Sequence, residues 1–600
     1  MRIVNKVENI AACIIFILLV ILPFSDLLIR EIIRPFFPGI AKIPASQTLV
    51  SHLTLLIGFS GAVIASRDSK LLSLSNTSLF DDSLTGISKH ITKWVSLFVI
   101  LLLTIGSLDI VLIELSLQYP IFIAPSVPRW IFQLAMPLGY FIMFLHIMGK
   151  MRQNIFSVRG LVTILLMILF LVSQDTLREN TLTLIIGILI FIFSVLNGAP
   201  IFTVLGGLGA LLFWFDYVPV SAVIAEAYRI VVSPHLATIP LFTLAGYFLA
   251  ESKASDRLVN VFKAVFGWLP GGTPVIVLLI CGFFTALTGG SGVTILALGG
   301  LLFPMLIKDG YKKKFSLGLI TASGSIGLLF PPSLPLILYG VTAGISIKSI
   351  FLAGILPGIF LIVALSLWTI YSGELEKVEK NNFNINDSIN ACWETKWELF
   401  IPFIVLYGIF GGHAKLVETA AFTVVYIFVI ETFIYKDIKR KDIISIIVSC
   451  ATLVGGVLII IGAAMGLTSY MVDAQVPMQI LSIMKELVSS KYLFLILLNI
   501  FLLIVGCLMD IFSAIIIVVP LIAPLGLHYG VDPIHLGIIF IANLELGYLT
   551  PPVGMNLFLS AYRFEEKMPF IYKSTFPFFI VLLVAVLFIT YFPMLTLWLL

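Results

Sequence analysis

The chain has 600 residues, of which 60% are hydrophobic and only 11% are charged, and its mean hydropathy is +1.12. Soluble proteins carry about a quarter charged residues, so this composition excludes a soluble domain and indicates a polytopic membrane protein. The net charge of +4 is small for this length. Because the basic residues gather in loops between apolar runs, they indicate topology rather than nucleic-acid binding. The five cysteines are scattered and show no metal-binding or disulfide spacing.

The first part of the chain contains four apolar runs that are long enough to span a bilayer, at 8–29, 48–66, 94–117 and 129–148. No small-residue cleavage site follows the first run, so we interpret it as a retained helix rather than a signal peptide. The loops after the second and fourth runs are basic, which predicts a cytoplasmic N-terminus. Arg30, Arg34 and Lys42 count against this orientation. We predict a four-helix scaffold domain over 1–155.

A joining helix and linker are predicted over 156–180, with a fifth span at 160–174 and the polar break "SQDTLREN" after it. The remainder, 181–600, is predicted to form a second, larger domain. Its most polar segment, 373–397, predicts a solvated loop or a surface helix. Simple spans are expected at 181–197, 200–216, 237–252, 316–345, 350–371, 398–412, 417–435, 443–468, 536–561 and 574–600.

Two further apolar regions, 274–307 and 492–525, each consist of two short arms around a polar or small-residue turn. Each arm is shorter than the roughly 20 residues of a full span, so we predict re-entrant hairpins with turns near 288–292 and 509–513. Irregular backbone at membrane depth is tolerated where it is buried in protein or lines a cavity. The predicted fold class is therefore an all-α polytopic membrane protein with about 15 transmembrane helices and two re-entrant hairpins.

The two hairpin regions are related by a shift of 220 residues. The shift superimposes "GLLFPPS" (327–333) on "GYLTPPV" (547–553) without gaps, and it also pairs two outlying positions, Pro304 with Pro524 and Gly310 with Gly530. The loop after the first hairpin, "KDGYKKKF", is strongly basic, whereas the equivalent "GLHYGVDPIH" has no Lys or Arg. The positive-inside rule places these loops on opposite sides of the membrane, so the repeat is inverted. Inverted repeats with interrupted segments are typical of secondary transporters.

Each repeat contains a Pro-Pro pair within an apolar segment. Proline breaks a helix because it lacks an N–H and its ring clashes with the preceding turn, so carbonyls near Gly327 and Gly547 lose their helical partners. A bound Na⁺ surrounded by such carbonyls and a hydroxyl would satisfy them. The hairpin turns supply hydroxyls at Thr288, Ser291 and Ser513. Asp510 and Glu545 are intramembrane acids and therefore candidates for function, or else helix caps or paired groups.

The runs 283–340, 415–428 and 506–558, with "TALTGGSGVTILALGGLLFP" and the two Pro-Pro motifs, resemble the large membrane subunit of TRAP (tripartite ATP-independent periplasmic) transporters. The first four helices resemble the small membrane subunit, so the chain is similar to a fused small-plus-large (DctQ-DctM-like) version. The usual Trp-x-Glu-Glu after the first helix is absent. The resemblance implies Na⁺-coupled import of an organic acid by an elevator motion, in the bacterial inner membrane, with a separate extracytoplasmic substrate-binding protein as partner. Counting helices then puts the C-terminus outside.

The resemblance also implies site residues, with two or more Na⁺ as coupling ions. One Na⁺ site would use the carbonyls of Gly327, Phe330 and Pro332 with Thr288 or Ser291. The second would use Gly506, Gly547, Thr550 and Val553. The substrate would lie between the hairpin tips, near Ser291, Ser333, Asp510 and Asn556.

Two other functions are open at this point: a Na⁺/dicarboxylate or anion symporter without a binding protein, and a non-transporting scaffold or sensor. An enzyme is not expected, because the chain has no HExxH, GxSxG, protease-type aspartate pair or P-loop. No residue distinguishes a C4-dicarboxylate from a sialic acid, a sugar acid or a keto acid.

Overall fold

The computed structural model describes residues 2–37, 43–73, 82–125, 127–151, 177–178, 180–268, 272–376, 384–488, 490–551 and 554–600. Within them the chain is helical apart from a small antiparallel ribbon, Phe122–Ala124 paired with Val127–Pro128. These residues contain ten helices that are long and apolar enough to cross a membrane, or eleven if one bent pair counts as a span. A polytopic helical membrane protein is thus confirmed.

The predicted number of about 15 spans is not confirmed, and the ten include both arms of the second hairpin, Lys491–Leu508 and Ile511–His528, which the sequence predicts as a re-entrant pair. The joining helix predicted at 160–174 lies outside the described residues. Several other predicted spans are helices too short to qualify, among them Thr181–Leu196, Ile201–Phe215, Thr238–Ala250 and Ile401–Phe410. The predicted span at 574–600 is displaced: its helix is Met568–Tyr591, and a short turn, Met594–Leu597, follows Pro593.

The chain divides into two compact units. The first unit comprises Met1–Pro240 and Ile447–Pro477. Its helices are Arg2–Leu28 with a π-helical extension Ile29–Ile33, Ser46–Arg67, Asp82–Ser116, Arg129–Gln133, Ala135–Lys150, Thr181–Leu196, Ile201–Phe215, Ser221–Val231 and most of Arg440–Asp473.

Small residues let two helices of the first unit meet at backbone contact. A Cβ built on Gly455 would lie 2.5 Å from the Cα atom of Gly61, so neither position has room for a side chain. Close approach at small residues is a common way to pack helices in membranes, where burial against lipid gives little drive for association. Residues of the long helix Arg440–Asp473 are thereby fixed against Ser46–Arg67.

The second unit comprises Leu241–Ile446 and Met478–Leu600 and holds both hairpins. The first hairpin is Gly272–Thr288 with Ser291–Lys308, and the second is Lys491–Leu508 with Ile511–His528. Their turns fall at 289–290 and 509–510, as the sequence predicts. The other helices are Thr238–Ala250, Ala254–Phe266, Lys313–Ser323, Leu334–Ala343, Ile347–Glu376, Ile385–Glu394, Lys396–Leu399, Ile401–Phe410, Leu416–Val429 with Ile430–Ile434, Val476–Leu487, Pro533–Gly547, Met555–Phe564, Met568–Tyr591 and Met594–Leu597.

Both predicted Pro-Pro breaks interrupt a helix. The first broken helix runs as Lys313–Ser323, a 3₁₀ turn Ile326–Leu329 and Leu334–Ala343, with a bend of 45° between its halves. The second broken helix is Pro533–Gly547 followed by Met555–Phe564. We call the interruption at 324–333 the first break, and the described residues between the later two helices, 548–551 and 554, the second break.

Contacts within the second unit follow the repeat. The half-helix after the first break, Leu334–Ala343, packs on the second arm of the second hairpin, and the half-helix after the second break, Met555–Phe564, packs on the second arm of the first hairpin. This reciprocal exchange is what two repeats related by a pseudo-two-fold axis produce. Each half-helix that follows a break therefore packs on a hairpin of the other repeat.

Candidate functional site

The tip of the first hairpin is a tight turn that only glycine permits. Gly289 has a φ of +67°, and a Cβ there would lie 2.8 Å from the Cβ of Leu334, the first residue after the first break. Gly290 is extended, with a φ of −139°, and the second arm begins at Ser291. The turn thus rests directly against the restart of the broken helix.

Buried hydroxyls join the two arms of the first hairpin below this tip. The Thr285 and Thr294 hydroxyl oxygens are 2.7 Å apart, and Thr285 donates to the carbonyl of Gly324 at 2.8 Å. One hydroxyl can donate one hydrogen bond, so Thr294 donates to Thr285. This chain of bonds fixes the hairpin to the start of the first break.

The first break lies against the first arm of its own hairpin. A Cβ on Gly327 would lie 2.6 Å from the backbone nitrogen of Ala286, so the two backbones touch. The Gly327 carbonyl accepts from the Phe330 N–H at 3.1 Å, and the Phe330 carbonyl accepts from the Ser333 N–H at 2.9 Å. Each carbonyl oxygen keeps a second lone pair for a ligand.

Three residues predicted to bind ligands here have buried polar atoms with no hydrogen-bond partner among the described residues. They are Ser291 Oγ, Ser333 Oγ and Asn556 Oδ1, in side chains that are at most 1% exposed. Buried polar atoms in proteins are normally paired with protein or water, so an unpaired set points to a missing partner. Thr288, by contrast, donates to the Phe284 carbonyl at 2.9 Å.

Asn556 brings the second repeat to the first break. Its amide nitrogen lies 3.3 Å from the carbonyl of Thr321 and 3.4 Å from Ser325 Oγ. One turn further along the same helix, Ser560 Oγ lies 2.8 Å from the Thr321 hydroxyl. The half-helix Met555–Phe564 therefore contributes a polar face to the first break.

The tip of the second hairpin is held by an acid instead of glycines. Asp510 Oδ1 accepts from the backbone N–H groups of Phe512 and Ser513, each at 3.1 Å, and the Ser513 hydroxyl donates to Oδ2 at 2.5 Å. This is an N-cap, which satisfies the otherwise unpaired donors of a helix start. The Ile511 N–H donates to the Tyr548 hydroxyl at 2.6 Å, which links the tip to the second break.

The second break repeats the backbone contact of the first. A Cβ on Gly547 would lie 2.6 Å from the Cα of Gly506. The Gly554 N–H donates to the Cys507 carbonyl at 3.1 Å, and the Thr550 N–H donates to the Gly547 carbonyl at 2.9 Å. Gly506, Gly547 and Thr550, all predicted Na⁺ ligands, are thus brought together; the fourth, Val553, lies outside the described residues.

The donors at both breaks suit a hard, singly charged cation. Carbonyl and hydroxyl oxygens are the ligands that hard cations prefer, and these are what the breaks offer. Among the described residues there is no group of three or more His, Cys, Asp or Glu that could hold a metal ion. Of the two hydroxyls predicted for the first Na⁺ site, that of Thr288 is paired and that of Ser291 has no partner among the described residues.

Sequence reasoning did not single out Thr285, Thr294, Thr321, Ser325 or Ser560. Two signals in the sequence point to some of them. Thr285 and Thr294 flank the "TGGSG" turn, so they fall on facing arms, and Ser560 follows Asn556 by four residues, which places both on one helix face. The partners across the repeat, Thr321 and Ser325, need the three-dimensional structure.

The fold and the site together define a class: a polytopic helical membrane protein in which two hairpins face two broken helices. Residues 187–595 match the family model of the tripartite ATP-independent periplasmic transporter, DctM component, and residues 19–157 match that of the DctQ component. The chain therefore belongs to the TRAP transporter family and carries a DctQ-like and a DctM-like part in one polypeptide.

Curated relatives support the family assignment. The isethionate TRAP transporter permease protein DctMQ of Oleidesulfovibrio alaskensis is 34% identical over 377 residues, which cover 62% of this chain and 59% of that relative. The C4-dicarboxylate TRAP transporter large permease protein DctM of Vibrio cholerae is 30% identical over 440 residues, 69% of this chain and 96% of that protein. Among solved structures, the Alcanivorax borkumensis YdaH transporter has a TM-score of 0.44 at 12% identity, over 59% of this chain and 84% of that one.

Proposed function

We propose that this protein is the membrane component of a secondary transporter that imports an organic acid with Na⁺, after an extracytoplasmic binding protein has delivered the acid. The observation that carries the proposal is the pair of breaks, each lying against a hairpin arm and each offering backbone oxygens beside a hairpin tip. Relatives named for isethionate and for C4-dicarboxylates support an acid as the substrate.

The first break is the proposed site of one Na⁺ and of part of the substrate. Ser291 with Thr288 would contribute hydroxyl oxygens, and Gly327, Phe330 and Pro332 would contribute carbonyls. The unpaired oxygens of Ser291 and Ser333 support this assignment, because a ligand would restore their missing bonds. Ser333 would donate to a carboxylate or sulfonate oxygen. Asn556 Oδ1 can only accept, so it would face a hydroxyl or a water on the substrate side.

The second break is the proposed site of a second Na⁺, held by carbonyls of Gly506, Gly547 and Val553 and by Thr550. Asp510 remains a proposed substrate neighbour, although its oxygens already cap the helix that starts at Ile511. Because the cap uses both carboxylate oxygens, a role of Asp510 in shaping the tip fits better than direct contact with an anionic substrate.

We further propose that the protein works in the bacterial cytoplasmic membrane with its N-terminus inside and its C-terminus outside, and that the hairpin-bearing part moves as an elevator. The basic loop 308–314 and its uncharged counterpart 526–535 support opposite sidedness of the repeats. Labelling of single cysteines at Lys312 and at Tyr529 from outside intact cells tests this: only the second should react.

The transport proposal is tested with the full chain in proteoliposomes. Uptake of labelled isethionate and of labelled succinate is measured with the cognate binding protein, under an inward Na⁺ gradient and under an equal K⁺ gradient. We expect uptake of one acid class only with Na⁺ and only with the binding protein. Equal uptake in K⁺ would refute the coupling, and uptake without the binding protein would favour a stand-alone Na⁺/dicarboxylate or anion symporter.

Variants connect this assay to the site. Ser291→Ala should lower uptake at least tenfold, whereas Ser482→Ala, at an exposed helix position whose hydroxyl only bonds its own helix, should leave uptake unchanged. Full activity of the Ser291 variant would show that backbone carbonyls suffice, or that the site lies elsewhere.

A further inference from the structure

A short amphipathic segment on the surface of the second unit has no part in the site described above. It consists of the helix Ile385–Glu394, the intervening residue Thr395 and the helical turn Lys396–Leu399. The sequence predicts only a solvated loop or a surface helix here. The arrangement of its side chains is more specific than that.

One side of this segment binds the protein. Ser388 and Thr395, seven residues apart and so on the same face, are both buried. The Ser388 hydroxyl donates to the carbonyl of Ala264 at 2.9 Å, and the Thr395 hydroxyl donates to the carbonyl of Arg257 at 3.5 Å. Both acceptors belong to the helix Ala254–Phe266, on which the segment therefore lies.

A second side is apolar and uncovered. Ile385, Ile389, Trp393 and Trp397 follow at intervals of four and form one edge, and they are 62%, 60%, 69% and 38% exposed. The third side is polar and exposed, with Asp387, Asn390 and Glu394. A surface helix of a soluble protein has a polar side in water and an apolar side packed on the protein. This helix has a further apolar side, which the described residues leave exposed.

Three features identify lipid as the occupant of the apolar edge. Tryptophan is enriched where bilayers meet water, and two of the four edge residues are tryptophan. The Lys396 ammonium lies 3.7 Å from the Trp393 ring centre and 5.6 Å from that of Trp397, so a cation able to meet a lipid phosphate stands beside the apolar edge. The edge also continues into exposed Phe400, Phe403 and Tyr407 on the next apolar helix.

We propose that Ile385–Leu399 is an interfacial membrane anchor, with Ile385, Ile389, Trp393 and Trp397 inserted at the level of the lipid headgroups and upper acyl chains and with Lys396 at the phosphates. Through Ser388 and Thr395 the anchor holds the helix Ala254–Phe266 at a fixed depth beside the membrane surface. This inference rests on the surface of the second unit and does not depend on the transport function.

Depth measurement by electron paramagnetic resonance tests the proposal on the full chain in nanodiscs of phosphatidylcholine with phosphatidylglycerol. Ile389→Cys and, as a matched control one residue away, Asn390→Cys are each spin-labelled in a background with Cys13, Cys281, Cys392, Cys450 and Cys507 replaced by serine or alanine. Collision with oxygen reports lipid, and collision with a water-soluble nickel chelate reports water. We expect the oxygen-to-nickel accessibility ratio to be several-fold higher at 389 than at 390.

Equally low oxygen-to-nickel ratios at 389 and 390, with ready collision with nickel at both, would overturn the proposal, because the edge would then lie in water. Low accessibility to both reagents at 389 would also overturn it, because another protein surface or a second copy of the chain would then cover the edge. A third spin label, at Trp393→Cys, should give an oxygen-to-nickel ratio like that at 389 and unlike that at 390. Since all three positions are exposed, these variants should fold like the parent chain.

Discussion

The two breaks share a backbone plan and differ in their polar side chains. At each break a glycine touches a hairpin arm: Gly327 contacts Ala286, and Gly547 contacts Gly506. The second pair follows the first by the 220 residues of the repeat. The first tip, however, is closed by glycines, and Ser291 Oγ there has no partner among the described residues. The second tip is closed by the carboxylate of Asp510, which caps the following helix. The two halves of the repeat thus share the backbone geometry that exposes carbonyls and differ in the side chains around it.

A second difference concerns the helices that precede the hairpins. The helix Ala254–Phe266 is held by Arg257, whose guanidinium bonds Glu398, Glu431 at 2.9 Å and Asp437 at 2.6 Å and lies 3.8 Å from the Tyr435 ring centre. Its counterpart one repeat later, Val476–Leu487, has Pro477 at the position equivalent to Arg257. Burial raises the pKa of Glu398, and Arg257 opposes that rise.

The largest expected loss of stability comes from replacing Arg257, the residue that distinguishes the first of these helices from its counterpart. Arg257→Met leaves three carboxylates, two of them almost fully buried, without their cation, which typically costs about 3–5 kcal/mol. We expect a marked loss of folded protein in thermal unfolding followed by size-exclusion chromatography. Lys263→Gln, which removes a half-exposed pair with Asp309, is the control and should change stability by less than about 1 kcal/mol. Similar stability of both variants would contradict the prediction.

The shared backbone contact predicts equal damage in the two repeats. Gly327→Ala and Gly547→Ala each push a methyl group into backbone atoms, and overpacking of this kind costs about 1–3 kcal/mol. Gly149→Ala is the control, since a Cβ there meets nothing within 4 Å. Thermal unfolding midpoints should fall for both break variants and stay unchanged at 149. A lower unfolding midpoint in only one of the two variants would contradict the conclusion that both repeats depend on this backbone contact.

The difference between the tips predicts a smaller effect. Asp510→Ala removes an N-cap and should cost about 1 kcal/mol, while Asp510→Asn keeps an acceptor and should cost less. The unfolding midpoint measured without Na⁺ separates the two variants. If both lose Na⁺-coupled uptake while their stability is intact, Asp510 acts on the substrate rather than as a cap.

The smallest effect on stability is expected at Ser291. Its buried hydroxyl has no partner within the described part of the chain, so Ser291→Ala should be neutral or slightly stabilising without Na⁺. A ligand that binds the folded state raises stability in proportion to the logarithm of its concentration over its Kd. The gain in unfolding midpoint on adding Na⁺ should therefore shrink in Ser291→Ala and persist in Ser482→Ala. An unchanged gain would remove Ser291 from the ion site.

Sequence reasoning recovered the parts that depend on the backbone. Proline and glycine act locally, so the turns at 289–290 and 509–510 and the interruptions near Pro332 and Pro551 could be predicted from residue type and the repeat alone. Span boundaries were less accurate, because helices such as Thr238–Ala250 are shorter than their apolar runs. Partners between repeats, such as Asn556 with Ser325, depend on how the halves interlock, which no local pattern encodes. Arg257 was missed because its three acids lie far apart in the sequence.

The reciprocal packing of the repeats has a consequence for how the protein is made. The second arm of the first hairpin ends at Lys308, but the half-helix it packs against begins only at Met555. At ribosomal speeds this partner emerges on the order of tens of seconds later. During that time Thr321 and Ser325, just before and within the first break, lack the bonds that Asn556 and Ser560 will supply. Insertion of this chain is therefore expected to depend on a membrane chaperone or translocon that retains the first hairpin until synthesis is almost finished.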